Sequence, residues 1–330
     1  MKIFKIITYF SIFLGLGIPA FAESISVSLV RGGIAHEALF DVDMRGGEGF
    51  AVGSGGMIYR TEDGGGTWVL ESNDNRLALL SVSFSKFGAI AVGQYGVILL
   101  RSSSGEWRKV ESGTEERLFS VDMNNEGYAI AAGSFGTILR SIDGGRSWES
   151  VSPSWEGIFD DPDNRLGGLF DPSIYGVKVS ESGRAWVVGE LALIMNSDDR
   201  GVTWSVKNAG GSSAAGVSPT LSAIDIRRDG VAYAVGQEGT VLKSLDYGGT
   251  WEALRPFTHQ NLLGVKAKLN GLIVVPGMRD IVMSTDDGGT WRSVEGLDIQ
   301  TGWYGSVAIP ITNAGAFVVG NKGNIIKIEQ

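Results

Sequence analysis

Side chains able to do chemistry are sparse in this sequence, and most of them recur. There are two histidines, His36 and His259, and no cysteine. Neither histidine stands in an H-x-x-x-H spacing, so both read as surface or loop residues and no metal site is assigned. The lack of cysteine excludes disulfides, thiolate metal sites and a lipid-modified cysteine. Glycosidic hydrolysis needs two carboxylates at a set separation across a cleft. Asp41, Asp122 and Asp225 are candidates, one in each of three similar apolar runs, LFDVDM, LFSVDM and LSAIDI. Their recurrence at what read as equivalent places argues for hydrogen bonding at strand ends over catalysis. Tyr175 and Tyr304 are possible nucleophiles, but no arginine set accompanies them to grip a substrate carboxylate. No catalytic constellation can be assembled, so no enzyme activity and no cofactor are expected.

Two other groups suit recognition of a partner. A basic residue, Arg60, Arg101, Arg140, Lys243 or Lys327, ends a strand just before a recurring turn or at its equivalent. Repetition about an axis would array them in a partial ring, broken at Asn196 and Met283, with arginine as a two-pronged donor to a client. Local pairing with acids of the adjoining turns is the competing reading and the favoured one, since such surface pairs are common and weak. The segment Ser152–Ser173 sets Trp155, Phe159 and Phe170 beside Asp160, Asp161, Asp163 and Asp171. Aromatics beside charges suit a protein contact. Its DDPDN core lacks the D-x-D-x-D-G spacing of a calcium loop, so the acids read as solvated.

The elements that carry these residues are set by a repeat. An eight-residue turn reads TEDGGGTW at Thr61–Trp68, SIDGGRSW at Ser141–Trp148, SDDRGVTW at Ser197–Trp204, SLDYGGTW at Ser244–Trp251 and STDDGGTW at Ser284–Trp291. A worn copy, SSSGEW, lies at Ser102–Trp107. The hydroxyl and the carboxylate (Asp63, Asp143, Asp199, Asp246, Asp286) can accept hydrogen bonds from the turn's own N–H groups. The glycine at the fifth position permits positive φ, and the tryptophan (Trp68, Trp148, Trp204, Trp251, Trp291) packs its ring over the strands. Before each turn comes a strand pair joined by Gly-x-x-Gly, as in AVGSGGMIYR and AAGSFGTILR, its second glycine replaced by Ala192 and Asp280 in units four and six, and before that another short apolar run. Seven such units of four short strands predict an all-β, seven-bladed propeller of four-stranded blades. The seventh unit stops without its fourth strand, and SISVSLV at Ser24–Val30 is the candidate to supply it and close the ring.

Residues 1–22 read as a secretory signal: Lys2 and Lys5, an apolar stretch from Ile6 to Ile18, then Ala20-Phe21-Ala22 as a cleavage site. Residues 23–330 then form one propeller domain, exported and soluble, with no lipid anchor and monomeric. The net charge of −9 argues against a nucleic-acid partner. Two stretches lengthen the period, Ser152–Ser173 and Asn208–Pro219. Such insertions map to loops, often on a binding face. The second, small and polar, reads as a flexible loop.

The turn S/T-x-D-x-G-x-T/S-W is similar to the Asp-box, or BNR, repeat of sialidases, sortilin-type receptors and some glucanases. Blades such as GYAIAAGSFGTILRSIDGGRSWE (Gly127–Glu149) and AYAVGQEGTVLKSLDYGGTWE (Ala232–Glu252) most resemble the photosystem II stability and assembly factor family. The likeness covers nearly all of residues 36–328. It implies a non-enzymatic scaffold in the periplasm or thylakoid lumen that holds a membrane-protein subunit, or an envelope protein complex, during assembly. In a photosynthetic host that complex would be photosystem II. Arg60, Arg101, Arg140, Lys243, Trp155, Phe159, Asp160 and Asp161 are the candidate partner-binding residues. A glycan-binding or glycoside-hydrolysing Asp-box protein is the alternative.

Overall fold

The computed structural model describes residues 25–159, 170–213, 216–310 and 315–329. The predicted signal segment, Asp160 and Asp161 lie outside them. Among the described residues, no helix is long and apolar enough to cross a membrane.

Short runs rich in Val, Ile and Ala, bounded by Gly, Asn and Ser, favour strands over helices. Seven of the sheets are antiparallel with four strands each, the blades. Blade 1 takes Leu39–Arg45, Glu48–Gly53, Ile58–Thr61 and Val69–Leu70 from the axis outward. Blades 2 to 6 begin at Leu79–Ser85, Leu118–Met123, Ile174–Val179, Leu221–Ile226 and Lys266–Ala267. Blade 7 is Tyr304–Ala308, Gly315–Gly320 and Ile325–Glu329, completed by the N-terminal strand Ser26–Arg31. Val27 pairs with Ile328 and Ser28 with Lys327, so the ring closes as the repeat pattern requires.

The core is divided into layers between neighbouring blades. Ile130, Ala132 and Ile138 of blade 3 meet Ile174, Val187, Leu193 and Met195 of blade 4 in one of them. Phe317 and Val319 of blade 7 meet Leu39, Ala51 and Tyr59 of blade 1 in another. Each fully buried aliphatic or aromatic side chain contributes about 1.5–3 kcal/mol, so the interfaces between blades hold the ring together.

The second insertion differs from the expected flexible loop. Ser212–Ser213 pairs with Gly216–Val217 as a small hairpin, anchored by Gly210 N–H to the Leu191 carbonyl (2.8 Å) and Ala192 N–H to the Pro219 carbonyl (2.8 Å). Backbone groups of blade 4 that faced solvent find partners there.

Candidate functional site

The five Asp turns join the third and fourth strands of their blades. In the first, the Gly65 N–H donates to Thr61 Oγ1 (2.9 Å) and Thr61 Oγ1 donates to Asp63 Oδ1 (2.9 Å). Asp63 then accepts from the Thr67 N–H (2.9 Å) and hydroxyl (2.8 Å). Asp143, Asp199, Asp246 and Asp286 repeat this pattern. Hydrogen bonds from the threonine's backbone and side chain hold Asp63, Asp199, Asp246 and Asp286 at a pKa of about 2. The indoles are half-buried, and those of Trp68, Trp148, Trp251 and Trp291 donate to the carbonyl of the turn's fifth residue. Trp204 instead donates to Val151 of the preceding blade (3.1 Å). The fourth residue of the turn is also left-handed, at φ 59° in Arg200 and Tyr247 and 57° in Asp287. Its carbonyl accepts from the preceding blade: from Arg140 (3.1 Å), from Trp186 Nε1 (3.0 Å), and from the Tyr233 hydroxyl (2.9 Å) with Lys243 (2.7 Å). The turns therefore lock blade to blade.

The basic residues are drawn into these locks and local pairs. Arg60 meets Glu48 (2.6 Å) and Glu62 (2.6 Å), Arg140 meets Glu149 (2.5 Å), and Lys327 meets Glu329 (2.5 Å). Arg101 does not belong to their row. Leu100, paired with Ile90, holds the place that Arg60 holds opposite Phe50. Arg101 stands one residue on, where Thr61 stands in blade 1, and alternation turns it to the other face. There it grips Glu71 with two nitrogens (2.8 and 3.1 Å). This explains the worn turn, because an arginine replaces the hydroxyl that would open it. Trp155 is buried between blades 3 and 4, and Phe159 packs against the same layer, edge-on to Phe170 with centroids 5.5 Å apart.

The innermost strands wall a central channel of about 570 Å³. At one level stand Asp43, Ser83, Asp122, Lys178, Asp225, Lys266 and Ala308, as the pairings to the second strands fix. Asp41 lies two residues before Asp43, so it is Asp43 that matches Asp122 and Asp225, not Asp41 as expected, and the runs LFDVDM and LFSVDM already align Asp43 with Asp122. Asp41 accepts from Ser306 (2.6 Å), Ser81 (2.7 Å) and the N–H groups of Val82 (2.8 Å) and Val42 (2.9 Å), tying blades 7, 1 and 2. Asp122 accepts from the Val179 N–H (2.8 Å) and Asp225 from the Ala267 N–H (3.0 Å). The inference of hydrogen bonding from recurrence thus describes all three. Burial pushes Asp43 up to about 6, against the pull of Lys266. Burial is the largest influence on Asp122 and works against its charged form, but Lys178 at 3.0 Å, the Val179 N–H and Lys266 together outweigh it and the net shift is downward.

The opposite end of the blades, where the second and third strands are joined, carries the most exposed aromatic rings, while the Asp-turn end exposes Ile142, Val202 and Leu245. Six innermost strands have a register shift at the same place, between Leu39 and Asp41, Leu79 and Ser81, Leu118 and Ser120, Ile174 and Gly176, Leu221 and Ala223, and Tyr304 and Ser306. A bulge re-aims the extra residue. Those residues include Phe40, Leu80, Phe119 and Tyr175, half-buried on the channel wall. Phe40 stacks on Trp303 at 5.7 Å, and Phe119 meets Tyr175 at 4.8 Å. Further out, the hairpin tips present Tyr95 (73% exposed) and Phe135 (69% exposed) in neighbouring blades. Sequence reasoning missed both groups. Its available signals were the bulky second residue in LFDVDM, LFSVDM and IYGVKV, and the aromatic third residue in GQYG and GSFG.

No family model matches this chain. One curated relative, photosystem II assembly lipoprotein Ycf48 of Synechococcus sp. (strain CC9902), is 29% identical over 109 residues, 31% of this chain and 33% of the relative. The chain thus spans about a third of the length of the curated relative it matches. Among solved structures, Ycf48 bound to a D1 peptide superposes with TM-score 0.67 and 17% identity over 93% of this chain and 97% of that one. Ycf48 from Cyanidioschyzon merolae gives 0.69 and 19% over 92% and 98%. A GH74 xyloglucanase from Xanthomonas campestris gives 0.68 and 16% over 91% of this chain and 53% of that one. Identities this low speak to fold. In sequence over part of its length, and in fold over nearly all of it, the chain is similar to the Ycf48 proteins.

Proposed function

We propose that this chain is an exported, non-catalytic scaffold that holds a protein segment on the hairpin face and so assists assembly or stability of a membrane complex. The observation that carries the reading is that face, with exposed aromatics on adjoining blades around a channel mouth lined by Phe40, Phe119 and Tyr175, Phe40 being backed by Trp303. Large apolar side chains held in water mark contact surfaces. Support comes from the likeness to Ycf48 proteins, one of which was solved with a D1 peptide. In a photosynthetic host the complex would be photosystem II. Export rests on the N-terminal segment 1–22.

Glycoside hydrolysis fits the site less well. The xyloglucanase is matched over only 53% of its length. In the channel, Asp41, Asp122 and Asp225 each accept a backbone N–H from the next blade.

The test is a deletion strain and a pull-down of the tagged mature protein from solubilised membranes. One membrane complex should fall in abundance, and one of its subunits should be retained. An unchanged membrane proteome, or turnover of a chromogenic glycoside lost on Asp122→Asn, would overturn the reading.

A further inference from the structure

Resting on that reading, we infer that the sector of the hairpin face between the tips of blades 2 and 3, bounded by Pro153, Trp155 and Asp171, binds an extended basic segment of the client, one apolar side chain of which enters a pocket beside Phe135. The pocket measures about 350 Å³ and is lined by Phe135, Thr137, Leu139, Trp155 and Asp171 among others. That is the low end of ligand-sized cavities and admits one aromatic or aliphatic side chain. The floor is built: a Cβ on Gly136 would lie 2.0 Å from the Trp155 indole nitrogen, so the buried ring is seated directly against the hairpin. The strip continues to blade 2, because a Cβ on Gly96 would lie 2.0 Å from the carbonyl of Thr114, which also lines the pocket.

The two tips are costly as structure alone. Tyr95 and Phe135 sit at φ 51° and 49°, in the left-handed region that disfavours a side chain, and both rings stand in water. Blade 1 meets the same need with Gly55 at φ 63°, and blades 5, 6 and 7 with the exposed charged residues Glu238, Arg279 and Lys322 at φ 55°, 60° and 57°, so it is the apolar ring in water that sets Tyr95 and Phe135 apart. Leu191, equally strained at φ 55°, is 4% exposed, so packing accounts for it. Packing does not account for Tyr95 and Phe135, and a partner that covers them does.

Charge selects that partner. Asp171 is the charged residue of the pocket lining. Glu111, Glu115 and Glu116 lie on the connection that carries Thr114, where Arg117 is the one basic residue, and Glu156 follows Trp155 in the chain. An acidic rim around an apolar slot complements Lys or Arg flanking a Phe or Leu, and it speeds encounter with such a segment.

The experiment uses the mature protein, residues 23–330, and three labelled peptides titrated by fluorescence anisotropy: GKRFRKG, GKRARKG and GEEFEEG. The first should bind about tenfold or more tightly than either other. Phe135→Gly and Tyr95→Gly should each weaken it by about tenfold while the melting temperature holds or rises. Asp171→Asn should weaken it and flatten its salt dependence. Equal binding of the three peptides, no binding of the first, or an affinity untouched by Phe135→Gly would overturn the inference. So would a concentration-dependent dimer abolished by Phe135→Gly, which would make a second copy the occupant. If the Phe135→Gly protein still retains the same membrane subunit in the pull-down, this sector is not the contact, while the scaffold reading stands.

Discussion

At the scale of single residues, the informative side chains are those whose backbone and solvent exposure both disagree with stability. Tyr95→Gly and Phe135→Gly relieve a left-handed side chain but add freedom to the unfolded chain, so stability should change by no more than about 1 kcal/mol in either direction. A larger loss in chemical denaturation would mean that the rings pack against the fold. Titration gives a second residue-scale expectation. The turn aspartates are depressed from 3.8 to about 2 in the fold. Their contribution is therefore complete above about pH 4 and drains away as pH falls toward about 2. The melting temperature should drop across that window, and less steeply in Asp246→Asn. Asp43 works in the opposite sense. Raised from 3.8 to about 6, it favours the fold below pH 4, and that contribution is lost as pH rises through about 6 and then stays level. Asp43→Asn should therefore raise the melting temperature more at pH 7 than at pH 4, and an equal shift at both would refute the assignment.

At the scale of elements, the Asp turn does two jobs, closing its own hairpin and offering a carbonyl to the preceding blade. Gly65 shows why the sequence spells it as it does. Its φ is 91°, and a Cβ there would meet the Phe317 ring of blade 7 at 2.3 Å. Gly65→Ala should cost about 2–3 kcal/mol through strain and overpacking. The half-buried Trp148 is worth less than a core tryptophan. Trp148→Ala should cost about 1–3 kcal/mol, against the 3–5 of a fully buried ring, and a loss under 0.5 would mean that its bond to Gly145 contributes nothing. This level was largely legible, since hydroxyl, carboxylate, glycine and indole recur at fixed offsets. The extra residue before Arg101 was legible too, since GVILLR is one longer than GTILR, but only the pairing with the second strand fixes which side chain faces which way. The bulges were illegible for the same reason, as register belongs to two strands at once.

At the scale of the whole molecule, the ring depends on a strand that lies far from its partners in the chain. Arg31 at the end of Ser26–Arg31 bonds Glu37 (2.9 Å), the Tyr59 hydroxyl and the Gly323 carbonyl, and its guanidinium stacks 3.9 Å from the Tyr59 ring centre. One side chain thus joins blade 7 to blade 1 across the closure. A chain shortened to begin at Gly32 should lose several kcal/mol of its stability and expose the Ile325–Glu329 edge. Size-exclusion chromatography and thermal unfolding would show aggregation and a lowered transition, and an unchanged monomer of unchanged stability would show that closure is dispensable. Arg31→Ala should produce a smaller version of the same loss.

The sequence alone determined the blade count, the four-stranded unit, the turn chemistry and the closing strand. These follow from local spacing, and local spacing repeated seven times leaves few ways to bury the apolar runs. Only the tertiary structure decided which side chains are left free for the contact we propose. It did so by ending the free life of some side chains and not others: Arg60, Arg140 and Lys243 find acids or carbonyls, Asp41 finds two neighbouring blades, Trp155 finds a core. Tyr95 and Phe135 find only water. Whether a side chain has been satisfied depends on atoms brought from distant parts of the chain, and no spacing within one unit records that.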